Sequence, residues 1–60
     1  MAGPELYEKK GNEFFAIENF AEALDYYTKA IEELGEHARE TDYCNRANAY
    51  IELDRLDEAI

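Results

Sequence analysis

Apolar side chains recur along the chain at three-and-four spacing, interrupted at only a few places. In the first stretch Leu6, Tyr7, Lys10, Gly11, Phe14, Phe15 and Ile17 share one side, while Glu5, Glu8, Lys9 and Glu13 occupy the other. That is the period of an amphipathic helix, and it predicts one over Glu5–Glu18. Pro4 suits its first turn, where a missing N–H costs nothing. The pattern breaks at Glu18-Asn19, since Asn accepts a left-handed turn or caps a following helix. A second helix is predicted over Phe20–Leu34, with Phe20, Ala23, Leu24, Tyr27, Ala30, Ile31 and Leu34 inward and Gly35 as its C-terminal stop. A third, Arg39–Leu53, carries Tyr43, Ala47, Tyr50, Ile51 and Leu53. Asp54-Arg55 then repeats the role of Glu18-Asn19, leaving Leu56–Ile60 to open a fourth helix as at most one frayed turn. No stretch alternates as a strand does, so the expected class is all-α: an antiparallel helical hairpin plus a third helix.

Laid against itself at an offset of 36 residues, the chain repeats. Tyr7/Tyr43, Asn12/Asn48, Glu22/Glu58 and Ala23/Ala59 are identities. Lys10/Arg46, Gly11/Ala47, Phe14/Tyr50, Phe15/Ile51, Ile17/Leu53, Glu18/Asp54, Phe20/Leu56 and Leu24/Ile60 keep their chemistry. Two unrelated amphipathic helices would align apolar positions but not also Gly with Ala and Asn with Asn, so the match marks an internal repeat. A single unit spanning 1–60 is expected, with repeat 1 at about 4–37 and a partial repeat 2 at about 40–60.

Composition narrows the chemistry. A 60-residue chain builds one small core and is marginal without help. Its one cysteine, Cys44, rules out an internal disulfide. With one histidine, His37, it also falls short of a zinc shell. Fifteen acidic residues against six basic ones give a formal charge of −9, which argues against nucleic acid and anionic membranes as partners. The hydrophobic fraction of 47% is too high for a disordered acidic tail. No apolar run approaches the ~20 residues that cross a bilayer. Met1-Ala2-Gly3-Pro4 leads into Glu5 without the pattern of a secretory leader, and the reading from these features is a cytoplasmic protein. Neither Cys44 nor His37 has partners for a catalytic triad, and Glu32-Glu33 lacks the oxygen spacing of a calcium loop. No catalytic residue, metal or cofactor is expected, and the chain reads as a binding module and not an enzyme.

Tyr7, Gly11 and Phe14, followed by Phe20, Ala23, Tyr27 and Ala30, resemble the tetratricopeptide repeat, whose period is roughly 34 residues. Tyr43, Ala47, Tyr50, Leu56 and Ala59 begin a second copy. Both extra residues of the longer period fall in the Gly35-to-Glu40 connection. The resemblance implies stacked helical hairpins whose small residues let paired helices touch. More narrowly, Lys10-Gly11-Asn12, Tyr27-Thr28-Lys29-Ala30-Ile31 and Asn45-Arg46-Ala47 look like the co-chaperone branch, which holds the C-terminal tails of cytosolic heat-shock chaperones in a concave groove. That implies an adaptor fragment whose partner is a protein or peptide. Asn12 and Asn45 match the two asparagines of that branch's carboxylate clamp.

Carboxamides suit a groove that reads peptide main chain, and Asn48 extends the row. Phe15, diverging by about 100° from its core-facing neighbour Phe14, is expected to face the groove or the next repeat. Glu8 stands where the branch has a clamp lysine, and a carboxylate there repels a C-terminal carboxylate. The peptide-binding residues read from the sequence are therefore Glu8, Asn12, Phe15, Asn45 and Asn48, with Glu8 opposing an acidic tail. The alternative is a self-associating helical module, since Tyr50, Leu53, Leu56 and Ile60 form an apolar surface that a following hairpin would cover and a second copy could bury instead.

Overall fold

The computed structural model describes residues 3–59, with side chains described as far as Leu56. Helix α1 spans Pro4–Ala16, α2 spans Phe20–Leu34, a single 3₁₀ turn covers Gly35–His37, and α3 runs from Glu40 to Ala59. Among the described residues there is no strand. Pro4 occupies the first turn of α1, where Gly3 precedes it in extended conformation. Gly35 ends α2 with φ 55°, a backbone region that costs a side chain strain and glycine none.

The α1–α2 hairpin closes on aromatic rings around one glycine. An added Cβ at Gly11 would lie 2.6 Å and 2.7 Å from ring carbons of Tyr27, so only a hydrogen fits there. Tyr26 lies 5.5 Å from Phe14 in a parallel stack and 6.2 Å from Tyr7. Helix α3 packs on the other side of α2 through Ala49, which joins Ala23 and Tyr27 in the buried cluster, with Phe14, Phe15 and Leu24 around it. Small residues at these crossings bring the helix backbones close enough for rings to fill the remaining space.

Three sequence expectations change. Helix α1 stops at Ala16 and not at Glu18, and Ile17 is 70% exposed instead of joining the apolar face. The cause is a Schellman turn: Glu18 N–H donates to the Phe15 carbonyl at 3.0 Å and Asn19 N–H to the Phe14 carbonyl at 2.8 Å. Glu18, and not Asn19, takes the left-handed conformation, at φ 62°. The second change is in α3, which continues through Asp54-Arg55 to Ala59 with no turn. Arg55 stands where the first repeat has Asn19, and arginine neither caps a helix nor favours a left-handed turn, so good helix formers carry the helix on. Thirdly, Ala47 is exposed although it repeats Gly11, because the seam that α3 makes with α2 uses Ala49.

Candidate peptide-binding site

Helices α1 and α3 both lie against α2, and the trough between them gathers polar side chains from all three helices. Asn12 and Phe15 of α1, Tyr27 of α2, and Asn45 and Asn48 of α3 line a concavity of about 130 Å³. Tyr27, at 4% exposure, donates its hydroxyl proton to Asn12 Oδ1 at 2.7 Å. Burial pushes the Tyr27 phenol above its usual range, which keeps it a donor. That bond holds the Asn12 carboxamide by its oxygen and leaves its NH₂ as a donor. Phe15 is braced edge-on against Phe20 with ring centres 5.0 Å apart. Two free carboxamides and an aromatic floor can engage an extended peptide by its main chain and one apolar side chain.

Glu8, one turn before Asn12 on α1, lines a separate, larger concavity of about 580 Å³ at the end of the hairpin, with Pro4, Glu5, Glu33, Leu34 and Arg39. Its carboxylate meets Arg39, whose Nη2 is 3.2 Å from Glu8 Oε1. Arg39 also reaches Asp42, with Nε 3.6 Å from Oδ2. Asp42 is 3% exposed, and its Oδ2 accepts the Arg39 backbone N–H at 2.9 Å. This is half of a capping box, with the acid in the first turn of α3 reaching back to the residue that precedes the helix. The two carboxyl groups titrate as a pair. A hydrogen bond with Asp42, together with burial, raises Glu8 above its ordinary value, and the same bond lowers Asp42.

Four of the five peptide-site residues expected from sequence thus meet in one trough, and Glu8 borders the adjoining concavity. Sequence reasoning overlooked Tyr27, Arg39 and Asp42 as parts of the site. The sequence pattern puts Tyr27 on the inward face of α2 and gives no sign that its hydroxyl reaches Asn12. An acid three residues after Arg39 was the available signal for Asp42, at the spacing of a helix-start box. Of the proposed association surface, Tyr50 is 59% exposed, Leu56 is 47% exposed, Leu53 is half-buried, and Ile60 lies outside the described residues. Cys44 is a free, exposed thiol.

Comparison with known proteins agrees with this architecture. The sequence profile of the tetratricopeptide repeat matches residues 4–33 and 43–60, so the chain belongs to that family of helical protein-interaction repeats. It is 40% identical, over 98% of its length, to outer envelope protein 64, mitochondrial, of Arabidopsis thaliana, covering 10% of that protein. It is 41% identical, over 82% of its length, to translocon at the outer membrane of chloroplasts 64 of Pisum sativum, covering 8% of it. To DnaJ homolog subfamily C member 7 of Homo sapiens it is 38% identical, over 93% of its length and 11% of that protein. The chain therefore spans about a tenth of the length of these curated relatives. No solved structure matches it significantly.

These relatives correct the cytoplasmic assignment, since two of them are named for the outer envelopes of organelles. Among the described residues no helix is long and apolar enough to cross a membrane. Charge and hydropathy of one repeat unit report on that unit's surface, whereas an address is a property of the whole protein, so the composition argument had no hold on it.

Proposed function

We propose that the chain is a peptide-binding adaptor segment whose α1–α3 trough holds an extended peptide or C-terminal tail. The observation that carries this reading is the convergence of Asn12, Phe15, Asn45 and Asn48 on one concavity floored by Tyr27. Asn12, Asn45 and Asn48 donate to and accept from the peptide backbone, and Phe15 supports an apolar side chain. Similarity to a DnaJ homolog supports a chaperone-related setting for the partner. A heat-shock chaperone tail is the resemblance-based candidate, and Glu8 works against its acidic end. Titrating unlabelled peptides of neutral and acidic C-terminus into ¹⁵N-labelled chain tests the reading. The side-chain amide signals of Asn45 and Asn48 should move together with saturating shifts, and Asn45→Ala should weaken binding by roughly tenfold, the loss of one or two hydrogen bonds. Shifts confined to other faces would refute it.

A second reading, self-association, is favoured by the outer side of α3. Tyr43, Ala47 and Tyr50 repeat the Tyr7, Gly11 and Phe14 positions with which α1 grips α2, yet Tyr43 and Tyr50 are 46% and 59% exposed. Leu53 and Leu56 turn instead toward the α2 side, at about 60° per step from Tyr50 on a helix advancing about 100° per residue. A second copy seated on this surface must overcome repulsion between two chains of charge −9, which salt screens. Sedimentation at several concentrations and two ionic strengths should then show association that strengthens with salt. A monomer throughout would dismiss this reading.

A further inference from the structure

The Glu8, Arg39 and Asp42 cluster ties the middle of α1 to the start of α3, across the end of the trough where a peptide terminus would enter. Two carboxylates face one guanidinium, so the fully ionised cluster carries one net negative charge. Asp42 is nearly inaccessible, while the Glu8 side chain keeps 19% exposure and the Arg39 side chain 68%, so solvent protons reach the cluster through Glu8. Other charges facing it are Glu5 on α1 and Glu33 on α2, which share the adjoining concavity, and they add to the negative field. The Arg39 backbone bond and helix start hold Asp42 in place as an anion.

We propose that Glu8, Asp42 and Arg39 form a proton-operated charge gate on the trough: ionised, it disfavours a peptide ending in a free carboxylate, and one proton taken from solvent onto Glu8 makes the cluster neutral and admits that peptide. The proposal rests on the peptide-binding reading above and adds to it the chemistry of the ligand that is sorted. The proton is bonded to a Glu8 oxygen with Asp42 remaining the anion, and no other group changes state. The hydrogen bond that protonated Glu8 donates to Asp42, together with burial, raises Glu8 above its ordinary value, with the Arg39 guanidinium opposing it.

Two measurements on the full chain test the gate. Carboxyl ¹³C titration should place the Glu8 midpoint above the ordinary glutamate range, and Arg39→Gln should raise it further; a Glu8 that titrates in the ordinary range overturns the proposal. Calorimetry then compares one uncharged peptide with an acetylated N-terminus, made with a free C-terminal carboxylate and as its C-terminal amide. The carboxylate titrates near pH ~3.5 and so stays ionised throughout the range used. As pH falls from about 7.5 through the Glu8 midpoint found by the carboxyl titration, the affinity ratio of acid to amide should rise toward a limit of roughly tenfold, the effect of removing one like charge at short range in a half-wet site. Glu8→Gln should show the high ratio already at neutral pH, with a weaker pH dependence left by the remaining carboxylates. Amide binding together with an acid-to-amide ratio that has the same pH profile in native and Glu8→Gln chains would overturn the gate and leave the trough intact. Failure of both peptides to bind at any pH would overturn gate and trough together.

Discussion

Gly11 and Tyr27 show how one absent side chain organises the hairpin. The Tyr27 ring occupies the space a Cβ at position 11 would take, at 2.6 Å, and its hydroxyl crosses to Asn12 on the same turn of α1. The packing contact and the groove contact therefore share one tyrosine. Gly11→Leu should abolish the cooperative thermal transition, because overpacking costs about 1–3 kcal/mol in a chain with little stability to lose. A melting midpoint equal to that of the native chain would contradict the seam. Tyr27→Phe keeps the ring and removes the donor, so a loss of about 1 kcal/mol in urea unfolding is expected. The same variant should free the Asn12 carboxamide, visible as faster exchange of its side-chain NH₂ protons.

At the level of elements, the turns decide where helices stop. Glu18 sits at the left-handed position of the Schellman turn, which costs a side-chain-bearing residue about 1–2 kcal/mol, and its charge opposes the negative end of the α1 dipole. Glu18→Gly should therefore stabilise the chain by up to about 1 kcal/mol after glycine's larger unfolded entropy is subtracted, raising the melting midpoint by several degrees. Gly35→Ala should move it the opposite way, since φ 55° at Gly35 suits glycine alone. Scanning calorimetry of the two variants checks both signs at once. The contrast with α3 has the same origin. Asn19 can begin the next helix and precedes a segment with a face to bury, whereas Arg55 in the matching place is a good helix former that does not cap, and α3 continues straight.

For the whole molecule, charge is the dominant long-range term. Fifteen acidic residues repel one another in any compact state, and the Glu8–Asp42 pair adds a specific dependence on pH. Glu8 is raised above its usual 4.5, so the folded chain binds this proton more readily than the unfolded one, and stability grows as pH falls through the raised value. Asp42 is lowered below its usual 3.8, so its contribution is present above that range and is lost as pH falls through the folded value. Stability should peak at mildly acidic pH and fall in strong acid. Denaturant midpoints measured across the range should show this maximum, and Glu8→Gln should flatten the limb between neutral and mildly acidic pH, leaving the part due to general repulsion.

The three helices, the inward face of α2 and the glycine at the seam were legible from sequence, because each depends on residues within a few positions of one another, whereas Leu6 and Ile17, expected on the inward face of α1, are exposed. A 3.6-residue period, a glycine four residues after a tyrosine and a repeat at 36 residues need no knowledge of the fold. The family resemblance placed Asn12 and Asn45 at clamp positions, and the fold set them in one trough with Asn48. What only tertiary structure decided lies at contacts between distant segments. Arg39 meets Glu8 across 31 positions, Asp42 is buried beneath them, and Ala49, not Ala47, faces α2. Local pattern cannot supply these, because it fixes which side of a helix is apolar without fixing the angle at which two helices cross. That angle determines which charged groups are drawn from water into each other's reach, and with it the protonation of Glu8.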